Sequence, residues 1–314
     1  MKNFIKPNNR TLIPFWLFFC LGVLLIVYGG YLEHSRASLS SSLSSCSSSS
    51  SSLSSSFPPS VKATSYLVGR IDTGKILAEK NDSLQVFPAS LSKLMTAMVV
   101  RDNISLDKRI FITPYAVSTE GDEGGLEAGE TLLTRDLLAV LLIPSSNDAA
   151  TAFSQAFTKE GKNLVDLMRK KAERLHLYNT AFFDATGLDR QGNFTTAEDL
   201  FKLASDIYKN YPLLGKITRK KEITVYSFDK KHKHLLKNTN KLIGKLPYFW
   251  GGKTGSTPEA KDCLLTIYDF PSLTDNVKIP VVIIILHSSA RFLDTEKLYQ
   301  WTKKSFNTQE VTNL

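Results

Sequence analysis

Hydrophobic and polar residues follow a helical period through the middle of the chain and a strand period at both ends of its folded part. Short apolar runs on either side of Asp72-Thr73-Gly74 predict a hairpin of two strands. From residue 90 the apolar positions recur at spacings of three and four, which predicts a helix over 90–101. These positions are Leu91, Leu94, Met95, Met98 and Val99. The same spacing predicts helices over 133–143, 148–158, 162–175 and 197–209.

After residue 220 the pattern becomes that of strands. The segment EITVYSF alternates, CLLTIYDF and VVIIIL are apolar runs of strand length, and DTEKLYQWTKKSF predicts a closing helix. A helical middle therefore separates an N-terminal hairpin from C-terminal strands. This order predicts an α+β fold, with a mostly antiparallel sheet flanked by helices and an inserted all-α lobe at roughly 102–212.

Residues 11–32 form an uncharged apolar segment of the length that crosses a bilayer. At a helical rise of about 1.5 Å per residue it would span ~33 Å. Lys2, Lys6 and Arg10 precede it, and basic residues favour the cytoplasmic side. We therefore predict a cytoplasmic tail at 1–10, an uncleaved transmembrane signal anchor at 11–32 and a catalytic part outside the cell membrane, on the cell-wall side.

Two other interpretations of this N-terminus stay open. Ser35-Arg36-Ala37 has small residues at the positions that a signal peptidase recognises, and Leu43-Ser44-Ser45-Cys46 is similar to a lipid-attachment box. Both lie far from the apolar run, which is itself longer than the roughly 7–15 apolar residues of a signal peptide. The anchor is therefore the preferred interpretation.

After residue 32 the sequence predicts a linker and then one globular domain. Residues 33–60 are rich in serine and have little to bury, which predicts a disordered tether. Residues 61–314 are assigned to the domain, since a hydrophobic content of 42% supports a buried core. The net charge of +9 favours anionic partners, although no nucleic-acid-binding motif is present. The three cysteines show no disulfide or metal-binding spacing.

A serine three residues before a lysine opens the first helix. On a helix these positions share one face, so the amine of Lys93 can reach the hydroxyl of Ser90. A neutral lysine can accept the serine proton where burial or a second cation lowers its pKa. Taken alone, the pattern also fits a serine that caps a helix beside a solvated lysine.

Two further motifs favour the catalytic interpretation. Ser145-Ser146-Asn147 lies between two predicted helices, and Lys253-Thr254-Gly255 follows two glycines where the strand region begins. Ser-x-x-Lys, Ser-x-Asn and Lys-Thr-Gly, in this order, form the motif set of penicillin-recognising serine enzymes.

The motifs and their surroundings resemble the D-alanyl-D-alanine carboxypeptidases, the low-molecular-mass penicillin-binding proteins of peptidase family S11. The resemblance covers roughly 62–305 and includes DTGKILAEKN, GLEAGETLLTRDLLAVLLIPSSNDAA, ATGLDRQGNFTTAEDL, KNTNKLIG and RFLDTEKLYQW. It implies a β-lactamase/transpeptidase-like fold. It also implies a peptidoglycan stem-peptide substrate, β-lactams as inhibitors, and no cofactor or metal.

The resemblance implies a role for each motif residue. Ser90 would attack the carbonyl between two D-alanines, with Lys93 as general base and Ser145 relaying a proton to the leaving amine. Asn147 would bind the substrate backbone and help to hold Lys93. Lys253 would lower the pKa of Lys93 and attract the substrate carboxylate. The remaining expectations are a hydrogen bond from Thr254 to that carboxylate, room for substrate at Gly255, and an oxyanion hole of the Ser90 and Ser256 backbone N–H groups.

Three other functions remain open from the sequence. A D,D-endopeptidase that cuts peptidoglycan cross-links would use the same residues. A class A-like β-lactamase is less favoured, because no Glu-x-x-x-Asn loop lies between the second and third motifs. A non-hydrolytic β-lactam sensor is less favoured too, since the three motifs are complete.

Several features outside the motifs also carry expectations. Residues 209–245 hold eleven Lys or Arg against Glu222 and Asp229, which predicts a solvated basic hairpin. His232 and His234 would share a strand face without enough ligands for a metal. Cys263 is predicted to be a buried strand residue. The acidic segment 118–130 is predicted to be a solvated loop at the rim of the cleft.

Overall fold

An antiparallel sheet joins the two ends of the folded domain. In the computed structural model, which describes residues 57–272 and 277–309, the strand order is β2–β1–β9–β8–β7. The strands are β1 Ser65–Arg70, β2 Ile76–Lys80, β7 Phe249–Thr257, β8 Lys261–Pro271 and β9 Lys278–Ser288. Because β1 pairs with β9, the N-terminal hairpin completes a sheet built mainly from C-terminal strands. This arrangement confirms the predicted mixed fold with an antiparallel sheet.

Helices of the described residues pack against this sheet. They are α1 Ser92–Asn103, α2 Pro114–Val117, α3 Thr134–Leu142, α4 Asn147–Lys159, α5 Leu164–Arg174, α6 Ala197–Asn210, α7 Pro212–Thr218 and α8 Arg291–Gln309. The predicted helices appear within three residues of their expected bounds. The short helices α2 and α7 were not predicted, because one or two turns are too short to show a period.

The inserted region is not purely helical. Its strands β3, Arg109–Phe111, and β4, Thr131–Leu133, pair with each other. The prediction of an all-α lobe was therefore incomplete, since three-residue strands leave no alternation to detect. A separate hairpin of β5, Glu222–Tyr226, and β6, Lys233–Lys237, follows α7.

Strand β9 shows how one sheet serves two cores. Val282, Ile284 and Leu286 pack with the helices of the inserted region. Their neighbours Ile283 and Ile285 pack on the opposite face, where α8 contributes Leu298 and Tyr299. Successive side chains of a strand point to opposite faces, so a continuous apolar run is what a strand covered on both sides requires.

Helix α1 lies at the centre of the first core. All its residues from Ser92 to Val100 are buried, including Lys93 and Thr96 as well as the predicted apolar face. Thr96 satisfies its hydroxyl by donating to the carbonyl of Ala185, 2.9 Å away. The helix therefore presents its N-terminal end, and not a side, to the cleft.

The predictions for the N-terminus concern residues that the structure does not describe. The cytoplasmic tail at 1–10, the anchor at 11–32 and nearly all of the linker lie outside the described residues. Within 57–272 and 277–309, no helix combines the length and the apolar character that a membrane crossing demands.

Candidate active site

The turn that carries Ser90, just before α1, contains an unusual backbone conformation at Ala89. Ala89–Leu91 form a short 3-10 turn, and Ala89 has a φ of +49°, in the left-handed region. For a residue with a side chain this conformation costs about 1–2 kcal/mol. Such strain persists where the surroundings fix it, and it concentrates at functional sites.

Lys93 is fully buried beneath this turn. Its Nζ donates to Oγ of Ser90 at 2.7 Å and to the carbonyl oxygen of Thr186 at 2.8 Å. Burial lowers the pKa of Lys93 to about 7, against the opposing effect of the charges of Asp122 and Asp184. A substantial fraction of the amine is then neutral at physiological pH and can accept the Ser90 proton.

A tight turn over residues 184–187 holds the second partner of Lys93. Oδ1 of Asp184 accepts hydrogen bonds from N and Oγ1 of Thr186 and from N of Gly187, each at 2.8 Å. Gly187 has a φ of +83°, and a Cβ there would lie 2.0 Å from the carbonyl oxygen of Ala89. Glycine is therefore required for this turn to pack against the turn that carries Ser90.

The second motif is also strained. Ser145 is buried and has a φ of +75°, and its Oγ accepts a hydrogen bond from Nζ of Lys253 at 2.8 Å. Ser146 caps α4 by accepting from N of Ala149 at 2.9 Å. The cap fixes the helix start, and the left-handed residue before it turns the Ser145 hydroxyl toward the third motif.

Asn147 does not make the predicted contact with Lys93. Its Nδ2 donates to the carbonyl of Glu120 at 2.7 Å, and its backbone N donates to the carbonyl of Asp122 at 2.8 Å. No hydrogen bond joins Asn147 to Lys93 within the described residues. Oδ1 of Asn147 is buried and has no hydrogen-bond partner among the described residues.

Lys253 is the second buried amine of the cleft. Besides Ser145, its Nζ donates to the carbonyl of Thr254 at 2.8 Å. Burial, and after it the charge of Lys93, lowers the pKa of Lys253 well below its ordinary value. Burial is the main cause of the lowered pKa of Lys93. The repulsion between the two amines acts on both and disfavours their being charged at the same time.

Strand β7 passes directly beside the nucleophile turn. A Cβ at Gly255 would lie 2.9 Å from Cβ of Ala89 and 3.0 Å from N of Ser90. The absence of a side chain thus lets the strand approach the Ser90 backbone, a structural reason beyond the predicted room for substrate. Thr254, one residue earlier, is buried and its hydroxyl contacts that of Thr239.

Arg291 holds the end of this strand and was not singled out from the sequence. Its Nη1 donates to the carbonyl of Gly255 at 2.6 Å and pairs with Oδ1 of Asp262 at 3.2 Å. Ser256 is exposed, and its Oγ donates to the same Asp262 oxygen at 3.0 Å. These contacts fix the strand segment that carries the N–H expected in the oxyanion hole.

The acidic segment 118–130 is only partly the solvated loop that was predicted. Glu130 is buried, and its Oε2 accepts from Nε2 of His234 at 2.8 Å. Glu127 pairs with Nδ1 of His232 at 3.1 Å. The two histidines therefore hold the loop against the β5–β6 hairpin. Among the described residues no group of three or more His, Cys, Asp or Glu side chains could bind a metal.

Cys263 lies on β8 with no exposed surface, which confirms its prediction as a buried strand residue. Burial raises the pKa of its thiol to about 11. A thiol that stays protonated is a poor nucleophile, so Cys263 contributes packing to the core.

The sequence missed the backbone partners of the catalytic groups. The carbonyls of Thr186 and Glu120 carry no residue-specific signature. The nearest signal was the Asp184-Ala185-Thr186-Gly187 stretch, in which an acidic side chain followed by glycine is typical of a turn. Arg291 was visible only as a cation ahead of the last helix.

The sequence of this chain is similar to those of known proteins. A sequence model of the D-alanyl-D-alanine carboxypeptidase family matches residues 52–286. A D-alanyl-D-alanine carboxypeptidase of Bacillus subtilis is 34% identical over 208 residues, which is 65% of this chain and 53% of that protein. A D-alanyl-D-alanine endopeptidase of Pseudomonas aeruginosa is 33% identical over 248 residues, which is 76% of each.

Solved structures agree with these matches. The crystal structure of a DD-transpeptidase from Streptomyces superposes with a TM-score of 0.70 at 29% identity, over 78% of this chain and 98% of that one. The chain spans about half the length of the Bacillus subtilis relative, and nearly all of the Streptomyces structure is matched.

Proposed function

The chain belongs to the D-alanyl-D-alanine carboxypeptidase family, and we propose that it is a serine D,D-carboxypeptidase that removes the terminal D-alanine from peptidoglycan stem peptides. The observation that carries the proposal is the contact between Nζ of Lys93 and Oγ of Ser90 at 2.7 Å, in a site that lowers the pKa of the lysine to about 7. A nucleophile and a neutral base in contact are what acyl transfer needs.

In the proposed reaction, Ser90 transfers its proton to Lys93 while its Oγ bonds to the carbonyl carbon of the penultimate D-alanine. The oxyanion that forms would lie near the N–H groups of Ser90 and Ser256. Ser145, hydrogen-bonded to Lys253, is suited to deliver a proton to the leaving amine as the C–N bond breaks. Water then hydrolyses the ester and frees Ser90.

The substrate's terminal carboxylate gives Lys253 a further role. The resting site disfavours a charge on this amine through burial and through repulsion from Lys93. An arriving carboxylate would favour the protonated form. Thr254 lies next to Lys253 on β7 and supplies a hydroxyl for the same group. Substrate binding would therefore favour the positively charged form of Lys253, which is the form that attracts the carboxylate.

A D,D-endopeptidase is the second candidate, and the match to the Pseudomonas aeruginosa protein favours it specifically. That similarity covers 76% of both proteins at 33% identity, against 34% for the Bacillus subtilis carboxypeptidase. The catalytic steps would be identical. Only the group on the leaving amine would differ, being a cross-linked peptide and not free D-alanine.

Two measurements test the proposal. Fluorescent penicillin, which resembles the acyl-D-alanyl-D-alanine end, should label the wild type covalently and leave Ser90→Ala unlabelled. Purified pentapeptide muropeptides should lose one D-alanine. Labelling of Ser90→Ala to the same extent would refute the assignment of Ser90 as the nucleophile. Release of cross-linked peptides without free D-alanine would support the endopeptidase function.

We also propose that residues 11–32 anchor the enzyme in the cell membrane, with the catalytic domain on the cell-wall side. The support is the uncharged length of this segment and the basic residues before it. N-terminal sequencing of protein from the membrane fraction tests it. A mature start after Ala37 would refute an uncleaved anchor.

A further inference from the structure

A pocket of about 510 Å³ with both polar and apolar walls lies next to the catalytic cleft, between α2, α4 and the 184–190 loop. Its volume falls in the range of small-molecule sites, about 300–1,000 Å³. The pocket shares its walls with the catalytic groups. Glu120, whose carbonyl binds Asn147, lies on one side, and Thr186, whose carbonyl binds Lys93, lies on the other.

The lining has the chemistry that recognises a neutral polyol. Hydroxyl side chains dominate it, from Ser118, Thr119, Thr151, Ser154 and Thr158. Only Ala185 and Leu188 contribute aliphatic side chains. Hydroxyl groups both donate and accept hydrogen bonds, as sugar hydroxyls and acetamide groups do.

Internal hydrogen bonds fix this lining in place. Oγ1 of Thr119 donates to Oγ1 of Thr151 at 2.9 Å, which ties the turn after α2 to α4. Oγ1 of Thr113 donates to Oε1 of Gln155 at 2.7 Å, which ties the start of α2 to α4. A preformed polar surface loses little conformational entropy when a ligand binds.

The charges of the pocket argue against an anionic ligand. Asp184 pairs with Arg190, with Oδ2 and Nε 3.2 Å apart, which neutralises the one cation of the lining. Glu120 adds a second acidic side chain to the lining. Tyr115 stands at the edge with 70% of its surface exposed. An aromatic ring can pack against the C–H face of a sugar while its hydroxyl stays in water.

We propose that this pocket binds an N-acetylated amino sugar of the glycan to which the stem peptide is attached. The inference rests on the proposed function, since it assigns the pocket to the carbohydrate part of the same substrate. The enzyme would then recognise peptide in the cleft and sugar in the pocket, and it would favour glycan-linked stem peptides over free peptides.

The test compares one pentapeptide with and without its disaccharide, using the full chain. Tyr115→Ala removes the ring, and Ser154→Trp fills the pocket. Each should raise KM for the disaccharide pentapeptide by about three- to tenfold, the size expected from one aromatic contact. Neither should change the kinetics of the free pentapeptide. Tyr178→Ala is the matched control, because Tyr178 is 76% exposed and lies outside the lining.

A direct binding measurement separates this inference from the proposed function. N,N′-diacetylchitobiose, followed by NMR, should bind the wild type and lose affinity with Ser154→Trp but not with Tyr178→Ala. Equal kinetics on both substrates in all variants, or chitobiose binding that Ser154→Trp leaves intact, would overturn the glycan site. If the wild type hydrolyses neither substrate, the carboxypeptidase proposal fails while the chitobiose result still decides the pocket.

Discussion

Nε2 of His234 and Oε2 of Glu130 lie 2.8 Å apart, both buried, although the residues are separated by 104 positions in the chain. The pair joins the β5–β6 hairpin to the end of the 118–130 loop. The other end of that loop supplies the carbonyls of Glu120 and Asp122 that bind Asn147. The hairpin is therefore connected to the second catalytic motif through one loop.

The first prediction concerns this pair. His234→Gln should lower the free energy of unfolding by about 3 kcal/mol, because it leaves the Glu130 carboxylate buried without its charged partner. Acylation by penicillin should slow as well, since the loop then holds Asn147 less firmly. His232→Gln is the matched control. Its partner Glu127 is largely exposed, so we expect less than about 1 kcal/mol.

The same pair should make stability depend on pH. The hydrogen bond to Glu130, aided by the charge of nearby Glu127, raises the pKa of His234. A raised folded-state pKa gives stability that is complete below the unfolded value, about 6.5, and is lost as pH rises through the folded value. Urea unfolding at pH 5.5 and pH 9 should therefore show a larger difference between wild type and His234→Gln at the lower pH. A difference that grows with pH would contradict this.

The second prediction concerns the turn over 184–187. Gly187→Ala combines a left-handed φ with a Cβ 2.0 Å from the Ala89 carbonyl oxygen, so the turn must move away from Ser90. We expect loss of penicillin acylation and a destabilisation larger than the ~1–2 kcal/mol of the backbone conformation alone. Gly74→Ala isolates that conformational cost, because Gly74 has a φ of +74° with no atom near its missing Cβ. Equal effects of the two substitutions would show that the contact with Ala89 is unimportant.

These residues show where prediction from the sequence succeeded and where it stopped. The nucleophile helix was predictable from apolar spacings of three and four, and the strands β8 and β9 were predictable from apolar runs of strand length. The buried state of Glu130 was not. An acidic segment with four glycines is typical of solvated loops, and the histidine that neutralises Glu130 belongs to a distant hairpin.

In the candidate site, too, some features could be predicted from the sequence and others could not. Side-chain chemistry at fixed spacing identified Ser90, Lys93, Ser145 and Lys253, which the fold does bring together. Asn147 was identified too, but its orientation depends on backbone carbonyls of another segment. Backbone groups are the same in every residue, so their positions follow from tertiary structure alone.

The third prediction is a pH profile. Because the pKa of Lys93 is lowered to about 7, the rate of penicillin acylation should rise about tenfold per pH unit below that value and level off above it. Stopped-flow measurement of acylation from pH 5 to 9 checks this. A rate that still rises tenfold per unit between pH 8 and pH 9 would mean that Lys93 retains its ordinary pKa, and the proposed base would then be wrong.

The fourth prediction separates two causes of the Lys93 pKa. If burial is the main cause, Lys253→Met should leave the acid limb of the acylation profile near pH 7, although the rate should fall by at least about 100-fold through loss of the Ser145 contact and of the carboxylate partner. If the charge of Lys253 were the cause, the limb would move upward by a unit or more. The melting temperature should not fall, because a buried amine is replaced by an apolar side chain of similar length. Lys245→Met, at an exposed position, should leave both rate and profile unchanged.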